Sequence, residues 1–336
     1  MPVVTAERAT SAVAAVRVDA GSALVTDAGA PLFPRTAEAM ANHLVDPAQL
    51  AALFDLEPLS DADKRAPRLQ SFLKRNVGPT PVRISQGNVA VAHHTISKRE
   101  CLQGLQGVQL QTEAQRKQCG APNMVPVYRH GDPSKAAFCI DIFEFPNRAC
   151  ELPIVWSSPA QASAICALEG KRLCTQPEWT TACKADPTGG ADSMYAYGDE
   201  LDLHVCNTNK SRGDDKSCRA RTAKTAWDTC GTDTEPSGAF PKCRSRFGVY
   251  DLHGNVAEEM TRVAADGRAV SQLKGSAFFY VDVARKPGEK QDPAKDETYP
   301  DHCGYDPRWH VEPIASAVHV NYHLGFRCCK SIAVAR

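Results

Sequence analysis

The sequence predicts an α+β protein rich in loops, with an added helical region at its N-terminus. Three observations predict this class. Short strand-like segments and two capped helices alternate from Met124 onward. A long stretch after Asp186 is dense in Gly, Asp and Asn, so few regular elements fit there and disulfides or ions are needed to hold it. All 14 cysteines lie at or after Cys101, so the first hundred residues differ from the rest.

The N-terminal part divides by pattern. Residues 1–35 lack periodicity, which predicts a flexible or extended arm. Helical spacing begins at Thr36, and Ser60 is a predicted N-cap before a short helix interrupted at Pro67. Alternation from Val82 to Ile96 predicts a strand, on which neighbouring histidines face opposite sides and share no ligand. We expect a flexible arm (1–35), a helical and extended region (36–120) and a main domain (121–336).

Two helices follow the predicted strands "MVPVYR" and "FCIDIFEFPN" in the main domain. The first has Ser158 as its cap and Pro159 in its first turn. The second begins at Thr175 with Pro177 in its first turn. The predicted apolar face of the first helix contains Ala160, Ala164, Ala167 and Leu168.

The composition argues against a nucleic-acid-binding protein and against a membrane-spanning protein, and it leaves the cellular compartment open. Lys plus Arg and Asp plus Glu both number 39, so no basic excess favours nucleic acid. No run of about 18 apolar residues predicts a membrane span. The even cysteine number, without C-x₂-C spacing, favours disulfides over zinc and hence a secreted or periplasmic location. Against that, Glu7 and Arg8 interrupt the N-terminal apolar stretch, so no signal peptide is expected.

The stretch "VYDLHGNVAEEM" (249–260) places Asp251 and Glu258 on either side of a turn at His253-Gly254-Asn255. Acids beside such a turn are commonly solvated. The alternative is a hard cation, because Ca²⁺ binds carboxylates together with backbone carbonyls. The turn alone allows both interpretations.

Five motifs in order resemble the formylglycine-generating enzyme, or sulfatase-modifying factor, family. They are "FEFPN" (143–147), "GKRLCTQPEWTTAC" (170–183), "FGVYDLHGNVAEEM" (247–260), "LKGSAFF" (273–279) and "LGFRCC" (324–329). The resemblance covers residues 121–336 and implies a loop-rich α+β fold related to C-type lectins.

The resemblance also implies a structural Ca²⁺ at the turn. The implied ligands are Asp251, the Gly254 carbonyl, the Val256 carbonyl and Glu258, which suits the chemistry of this cation. A second calcium site of the family falls near Asn207.

A disulfide between Cys183 and Cys328 is implied in the same way, tying the second helix to the closing strand. Cys329 then faces the opposite side of that strand. Its partner is left open between Cys303 and Cys243.

Departures from the family pattern concern its oxidative chemistry. Family oxidases hold copper with two cysteines five residues apart, because soft Cu(I) needs thiolates. Here only Cys303 stands in that region, with Thr298 five residues before it. Ala257 and Glu259 replace two loop tryptophans, and Leu273-Lys274 replaces Arg-Gly. Copper-dependent oxidation is therefore not expected.

Iron is not expected either. Family members that make sulfoxides carry an H-x₃-H-x-E motif in an N-terminal helical domain, and His43, His93 and His94 do not have that spacing.

A group of histidines near the C-terminus is the best candidate functional surface. Its members are His302, Cys303, His310, His319 and His323. Cys and His together can hold a transition metal, but these spacings match no recognised site, and the interpretation without metal is favoured. The resemblance places the family's substrate groove here.

Two functions follow from these observations. The first is a module stabilised by calcium and disulfides that binds a protein, peptide or glycan ligand without copper oxidation. The alternative is a metal-dependent enzyme that modifies a protein cysteine or a small thiol with Cys303 and the C-terminal histidines. Whether the protein is an enzyme is left open.

Overall fold

The computed structural model describes residues 35–208, 218–219, 221–278, 302–307 and 310–332. The α+β class is confirmed, because short helices and two small sheets are joined by long loops. Thr298 and nearly all of the predicted flexible arm (1–35) lie outside the described residues. None of the helices described is both long and apolar enough to span a membrane.

The N-terminal region contains six short helices. They are α1 (Ala37–Met40), α2 (Pro47–Ala51), α3 (Asp61–Lys64), α4 (Pro67–Asn76), α5 (Lys98–Gly104) and α6 (Glu113–Cys119). Ser60 caps α3 as predicted, and its side chain accepts a hydrogen bond from the Asp63 amide. Pro67 begins α4, so the predicted interruption is confirmed.

The strand predicted from Val82 to Ile96 does not form. Only isolated pairings occur there, such as the one between Ser85 and Val155. The polar side chains of this segment bond to distant backbone instead. Gln86 donates to the Leu152 carbonyl and Asn88 donates to the Trp227 carbonyl. The segment therefore lies along the main domain and does not form a hairpin.

The first sheet of the main domain has the strand order β1-β2-β7-β3, and each of its pairings is antiparallel. Its strands are β1 (Met124–Val127), β2 (Phe138–Asp141), β3 (Arg172–Leu173) and β7 (Cys328–Ser331). Helix α7 (Pro159–Leu168) precedes β3, and α8 (Gln176–Lys184) follows it. Their predicted caps, Ser158 and Thr175, both form capping boxes.

The second sheet has the order β5-β4-β6. β4 (Ala257–Val263) lies between β5 (Ala269–Lys274), to which it is antiparallel, and β6 (Leu324–Phe326), to which it is parallel. Helix α9 (Ala223–Thr229) precedes this sheet in the chain. The Thr261 amide donates to the Cys174 carbonyl, which joins the second sheet to the segment after β3.

All 14 cysteines are paired in seven disulfides. The pairs are Cys101–Cys150, Cys119–Cys139, Cys166–Cys328, Cys174–Cys329, Cys183–Cys303, Cys206–Cys243 and Cys218–Cys230. Cys101–Cys150 links the N-terminal region to the main domain.

The predicted Cys183–Cys328 bridge is wrong. Cys328 and Cys329 do face opposite sides of β7, since they belong to different hydrophobic clusters. Helix α7 packs on the Cys328 side, so Cys166 is the residue in reach. Cys329 pairs with Cys174, and neither Cys303 nor Cys243 is its partner.

Candidate functional site

The turn before β4 bends back into the protein interior. Asp251, Gly254 and Asn255 have φ values of 56°, 75° and 61°. A Cβ atom at Gly254 would lie 2.3 Å from the Asn207 carbonyl oxygen, so only glycine fits. Asp251 and Glu258 are 2% and 0% exposed. The solvated-turn interpretation is therefore wrong for both acids.

Glu258 forms an ion pair with Arg327 in the interior. The Nε and Nη2 atoms of Arg327 each donate to a different carboxylate oxygen of Glu258, at 2.6 Å. The indole Nε1 of Trp179 donates to the same carboxylate at 3.1 Å. Such a bidentate pair fixes the end of the turn to the chain that joins β6 and β7.

Two further carboxylates complete a group that we call the buried carboxylate cluster, composed of Glu144, Asp251, Glu258 and Arg327. The Asp251 carboxylate accepts from the Gly238 amide at 2.7 Å. Glu144 accepts from the Val256 amide at 2.9 Å and from the Asn255 side chain at 2.6 Å. Glu144 therefore holds the turn from the opposite side.

The charges of this cluster do not balance. Burial raises the pKa of Glu144 well above its usual range, and the nearby Asp251 and Glu258 charges raise it further. Burial also raises the pKa of Asp251 to about 7. Arg327 neutralises one of three carboxylates, so full ionisation leaves two excess negative charges. Either two protons or a dication would balance them. Carboxylates together with backbone carbonyls are the type of donor that Ca²⁺ takes, and a calcium ion here stays a prediction.

Asn207, the residue predicted for a second calcium site, supports the turn. Its side chain donates to the Asn255 side-chain oxygen at 2.9 Å, and its carbonyl accepts from the Asn255 amide at 2.9 Å. The loop that follows Thr208 lies largely outside the described residues. A calcium role for Asn207 stays a prediction.

Cys303 is not a free thiol, because it is bridged to Cys183. The histidine beside this bridge is His253, whose Nε2 atom lies 3.4 Å from the Cys183 sulfur and 3.8 Å from the Cys303 sulfur. That nitrogen accepts from the Ala196 amide at 2.9 Å. Within the described part of the chain, these three are the His, Cys, Asp or Glu residues whose ligand atoms already lie within 4.8 Å of one another.

The bridged form provides no thiolate, which is the form in which cysteine binds metals and acts as a nucleophile. In the bridged state Cys303 cannot act as a nucleophile, and a catalytic role for it stays a prediction that requires the reduced form.

Lys274 fills the region next to this bridge. Its ammonium donates to the Cys303 carbonyl at 2.9 Å, to the Tyr305 carbonyl at 2.5 Å and to Asp306 at 2.9 Å. It also lies 5.0 Å from the centroid of the Trp179 ring. A buried positive charge thus stands in the turn where the family usually has Arg-Gly.

The C-terminal histidines do not gather around Cys303. His310 and His319 stack on each other with ring centroids 4.1 Å apart. His302 packs edge-on against Tyr305, and His323 packs edge-on against its neighbour Tyr322. Among the described residues of the predicted surface, His310 and His319 form a stacked pair. Cys303 instead lies with Cys183 and His253.

Sequence reasoning missed Glu144, His253 and Arg327 as members of these groups. Glu144 and Arg327 lie inside the motifs "FEFPN" and "LGFRCC", and His253 lies inside the turn. Membership of a motif was the only signal for these residues in the sequence, but the contacts that gather them join residues 50 or more positions apart.

The fold and these residues define a recognised class of domain. Residues 144–332 match the sulfatase-modifying factor enzyme 1-like domain family, and this match spans more than half of the sequence. The chain therefore belongs to that family.

Among curated proteins, the chain is similar to the inactive C-alpha-formylglycine-generating enzyme 2 of Bos taurus and of Mus musculus. Each is 30% identical over 156 residues, which are 44% of this chain and 48% or 47% of the relative. The chain thus spans about half the length of the curated relatives it matches.

Two solved structures also show a likeness. The crystal structure of CarF has a TM-score of 0.35 at 15% identity, over 61% of this chain and 93% of that one. The Major Tropism Determinant U1 variant has a TM-score of 0.32 at 12% identity, over 62% and 52%. These scores are too low to support an argument about function.

Proposed function

We propose that this chain is a sulfatase-modifying factor domain that does not oxidise cysteine. It binds a protein, peptide or glycan ligand and holds a structural Ca²⁺ at the turn. The observation that carries the proposal is the bridge between Cys183 and Cys303. Cys303 is the cysteine in the region of the family's copper pair, and a bridged sulfur lacks the thiolate that Cu(I) needs.

Lys274 supports the same proposal. Its ammonium donates to the Cys303 carbonyl and pairs with the Asp306 carboxylate, so it holds the backbone at the bridged cysteine in place. The mammalian relatives are named as inactive enzymes, which agrees with a domain kept for binding.

The cysteines support a location outside the cytoplasm. Seven disulfides use all 14 cysteines, and disulfides persist in oxidising compartments. We therefore place the protein in a secreted or periplasmic setting, where millimolar Ca²⁺ sites are also common.

Calcium is supported by the buried carboxylate cluster. Asp251 and Glu258 would supply carboxylate oxygens, and Gly254 and Val256 would supply carbonyls. The ion would replace the two protons that burial otherwise requires, and it would supply charge balance and hold the turn. Since the turn adjoins β4, loss of the ion would loosen the second sheet.

The calcium proposal is tested by thermal melting of the full chain with Ca²⁺ or EDTA. At a Ca²⁺ concentration about 100 times Kd, binding adds about 2.7 kcal/mol to the free energy of unfolding. We expect EDTA to remove this stabilisation from the wild type. Asp251→Asn and Glu258→Gln should melt lower and lose most of their sensitivity to EDTA.

The matched control is Asp266→Asn, an exposed acid in the β4–β5 hairpin. Its melting should respond to EDTA as the wild type does. Glu258→Gln also weakens the Arg327 pair, so its lower melting temperature alone proves nothing. The readout is the difference between the Ca²⁺ and EDTA curves. A wild type indifferent to both additions would defeat the calcium proposal.

A further inference from the structure

A buried segment of irregular backbone, residues 232–238, lies between the turn and the N-terminal region. We call it the relay segment. It forms neither helix nor strand, yet Thr234, Glu235 and Ser237 are 0% exposed. Buried backbone that belongs to no helix or sheet must find its hydrogen-bond partners in loops and side chains. For the relay segment, several of those partners lie in the turn, and His94 supplies another.

The turn is bonded to the relay segment at two positions. The side-chain oxygen of Asn255 accepts from the Glu235 amide at 2.7 Å, and its side-chain nitrogen donates to the Glu235 carbonyl at 3.1 Å. The Gly238 amide donates to the carboxylate of Asp251, one of the proposed calcium ligands. A shift of the relay segment would therefore move both Asp251 and Asn255.

The side chain of Glu235 is bonded to the N-terminal region. Its carboxylate accepts from the Thr95 amide at 3.0 Å, from the Thr95 hydroxyl at 2.5 Å and from the Ile96 amide at 3.0 Å. Hydrogen bonds to a carboxylate are among the stronger ones in proteins. Glu235 thus holds the N-terminal region through its side chain and the turn through its backbone.

The two residues that hold the Glu235 side chain belong to a part of the chain outside the family match. That match begins at residue 144, whereas Thr95 and Ile96 come before the Cys101–Cys150 bridge that joins the N-terminal region to the main domain. The family motifs supply the turn, and this chain's own N-terminal region fixes the relay segment next to it.

We propose that the N-terminal region positions the calcium site of the turn through Thr95 and Glu235. Neither residue is among the proposed ligands, so both act on Asp251 and Asn255 and not on the ion. This role rests on the proposed structural Ca²⁺, and it adds that calcium affinity depends on residues outside the family match. A turn left without this support has more conformations to lose when the ion binds, so calcium binds it more weakly.

The dependence has to be reciprocal. If the contact with Thr95 raises calcium affinity by a given factor, bound calcium stabilises that contact by the same factor. Couplings between sites are typically about 5- to 150-fold. A contact that only stabilised the fold would instead leave the Kd for calcium unchanged.

The test compares the wild type with Thr95→Val by calorimetric titration of the full chain with Ca²⁺. The variant removes the hydroxyl that donates to Glu235 while keeping the size and charge of the side chain. We expect its Kd for Ca²⁺ to be at least about fivefold higher. Hydrogen exchange followed by mass spectrometry should show that Ca²⁺ slows exchange in the peptide containing Thr95 and Ile96 of the wild type, and slows it less in Thr95→Val.

Two further variants serve as controls. Thr95→Ser keeps the hydroxyl and should bind Ca²⁺ like the wild type. Thr188→Val removes an equivalent bond elsewhere, from the Thr188 hydroxyl to the Asp186 carboxylate at 2.6 Å, and should also leave the Kd unchanged.

Two results would contradict the proposed role in different ways. Ca²⁺ binding by the wild type with the same Kd in Thr95→Val, or with unchanged exchange at Thr95 and Ile96, would overturn this role alone. No Ca²⁺ binding by the wild type would overturn the calcium proposal together with it. The exchange measurement on the wild type needs no variant, so it decides the question even if Thr95→Val does not fold.

Discussion

His94 shows how far a buried histidine's partner can lie from it in the sequence. The Nε2 atom of His94 is 2.9 Å from Nδ1 of His43, and its Nδ1 atom is 2.6 Å from the Thr234 carbonyl oxygen. His43 also approaches the Gly87 carbonyl at 3.2 Å. The expectation that His93 and His94 share no ligand came from alternation alone. The actual partner, 51 residues away, could not be read from that pattern.

His43 should make stability depend on pH. Burial lowers its pKa to about 4, with a smaller opposing effect of the Gly87 carbonyl and a contribution from Arg35. Below pH about 6.5, the ordinary pKa of histidine, His43 is protonated in the unfolded chain but stays neutral in the folded chain. The free energy of unfolding is therefore unaffected by His43 above about pH 6.5 and falls as the pH drops toward 4.

This dependence is measured by urea unfolding at pH 7 and pH 5 for the wild type and His43→Gln. Gln can donate a hydrogen bond but does not titrate. The variant should lose about 1–2 kcal/mol less than the wild type on acidification. Equal losses in both proteins would show that His43 is not the group responsible.

At the scale of single elements, helix α7 was half predictable. Its cap was correct because Ser and Pro act locally. Its buried face was wrong: Ala164 and Ala167 are exposed, whereas Ala162, Ile165 and Cys166 are buried. Small apolar residues occur on all sides of this helix, so their spacing alone does not predict which face is buried. The contact that does choose it, Cys166 with Cys328, joins residues 162 positions apart.

That bridge should contribute more to stability than a short one. In the chain-entropy account, the Cys166–Cys328 loop contributes about 5 kcal/mol and the 12-residue Cys218–Cys230 loop contributes about 3 kcal/mol. Double alanine variants of each pair should therefore differ by about 2 kcal/mol in denaturant unfolding. Cys218–Cys230 serves as the matched control. A larger loss for the short bridge would contradict this order.

At the scale of the whole molecule, the family was predictable and the relation between its motifs was not. Glu144, Asp251, Glu258 and Arg327 each lie inside a quoted motif, yet only the fold shows that they form one cluster. The resemblance put Cys303 in the region of the family's copper pair, which stays a prediction. The pairing of Cys303 with Cys183 depends on how α8 packs, and no local pattern shows it. Helix caps and the order of the motifs could be predicted from the sequence. Disulfides and ion pairs between residues far apart in the chain could be found only from the three-dimensional structure.

The N-terminal region is also tied to the main domain by contacts that its own pattern does not predict. Glu235 accepts hydrogen bonds from the Thr95 and Ile96 amides, and Cys101 is bridged to Cys150. Whether residues 36–120 form a separate folding unit stays a prediction. Proteolysis of the intact chain should find few cuts between residues 95 and 120 if these contacts persist in solution.

We propose that this family member lacks the thiolate chemistry that makes formylglycine. It is tested most directly by incubating the full chain, with Cu(I) and reductant supplied, with a cysteine peptide of the sulfatase type. Mass spectrometry then measures conversion of that cysteine to formylglycine, with an active family member as the positive control. We predict no product above the sample without protein, because Cys303 is bridged to Cys183 and Lys274 lies beside it. Formylglycine accumulating over many turnovers would contradict the claim.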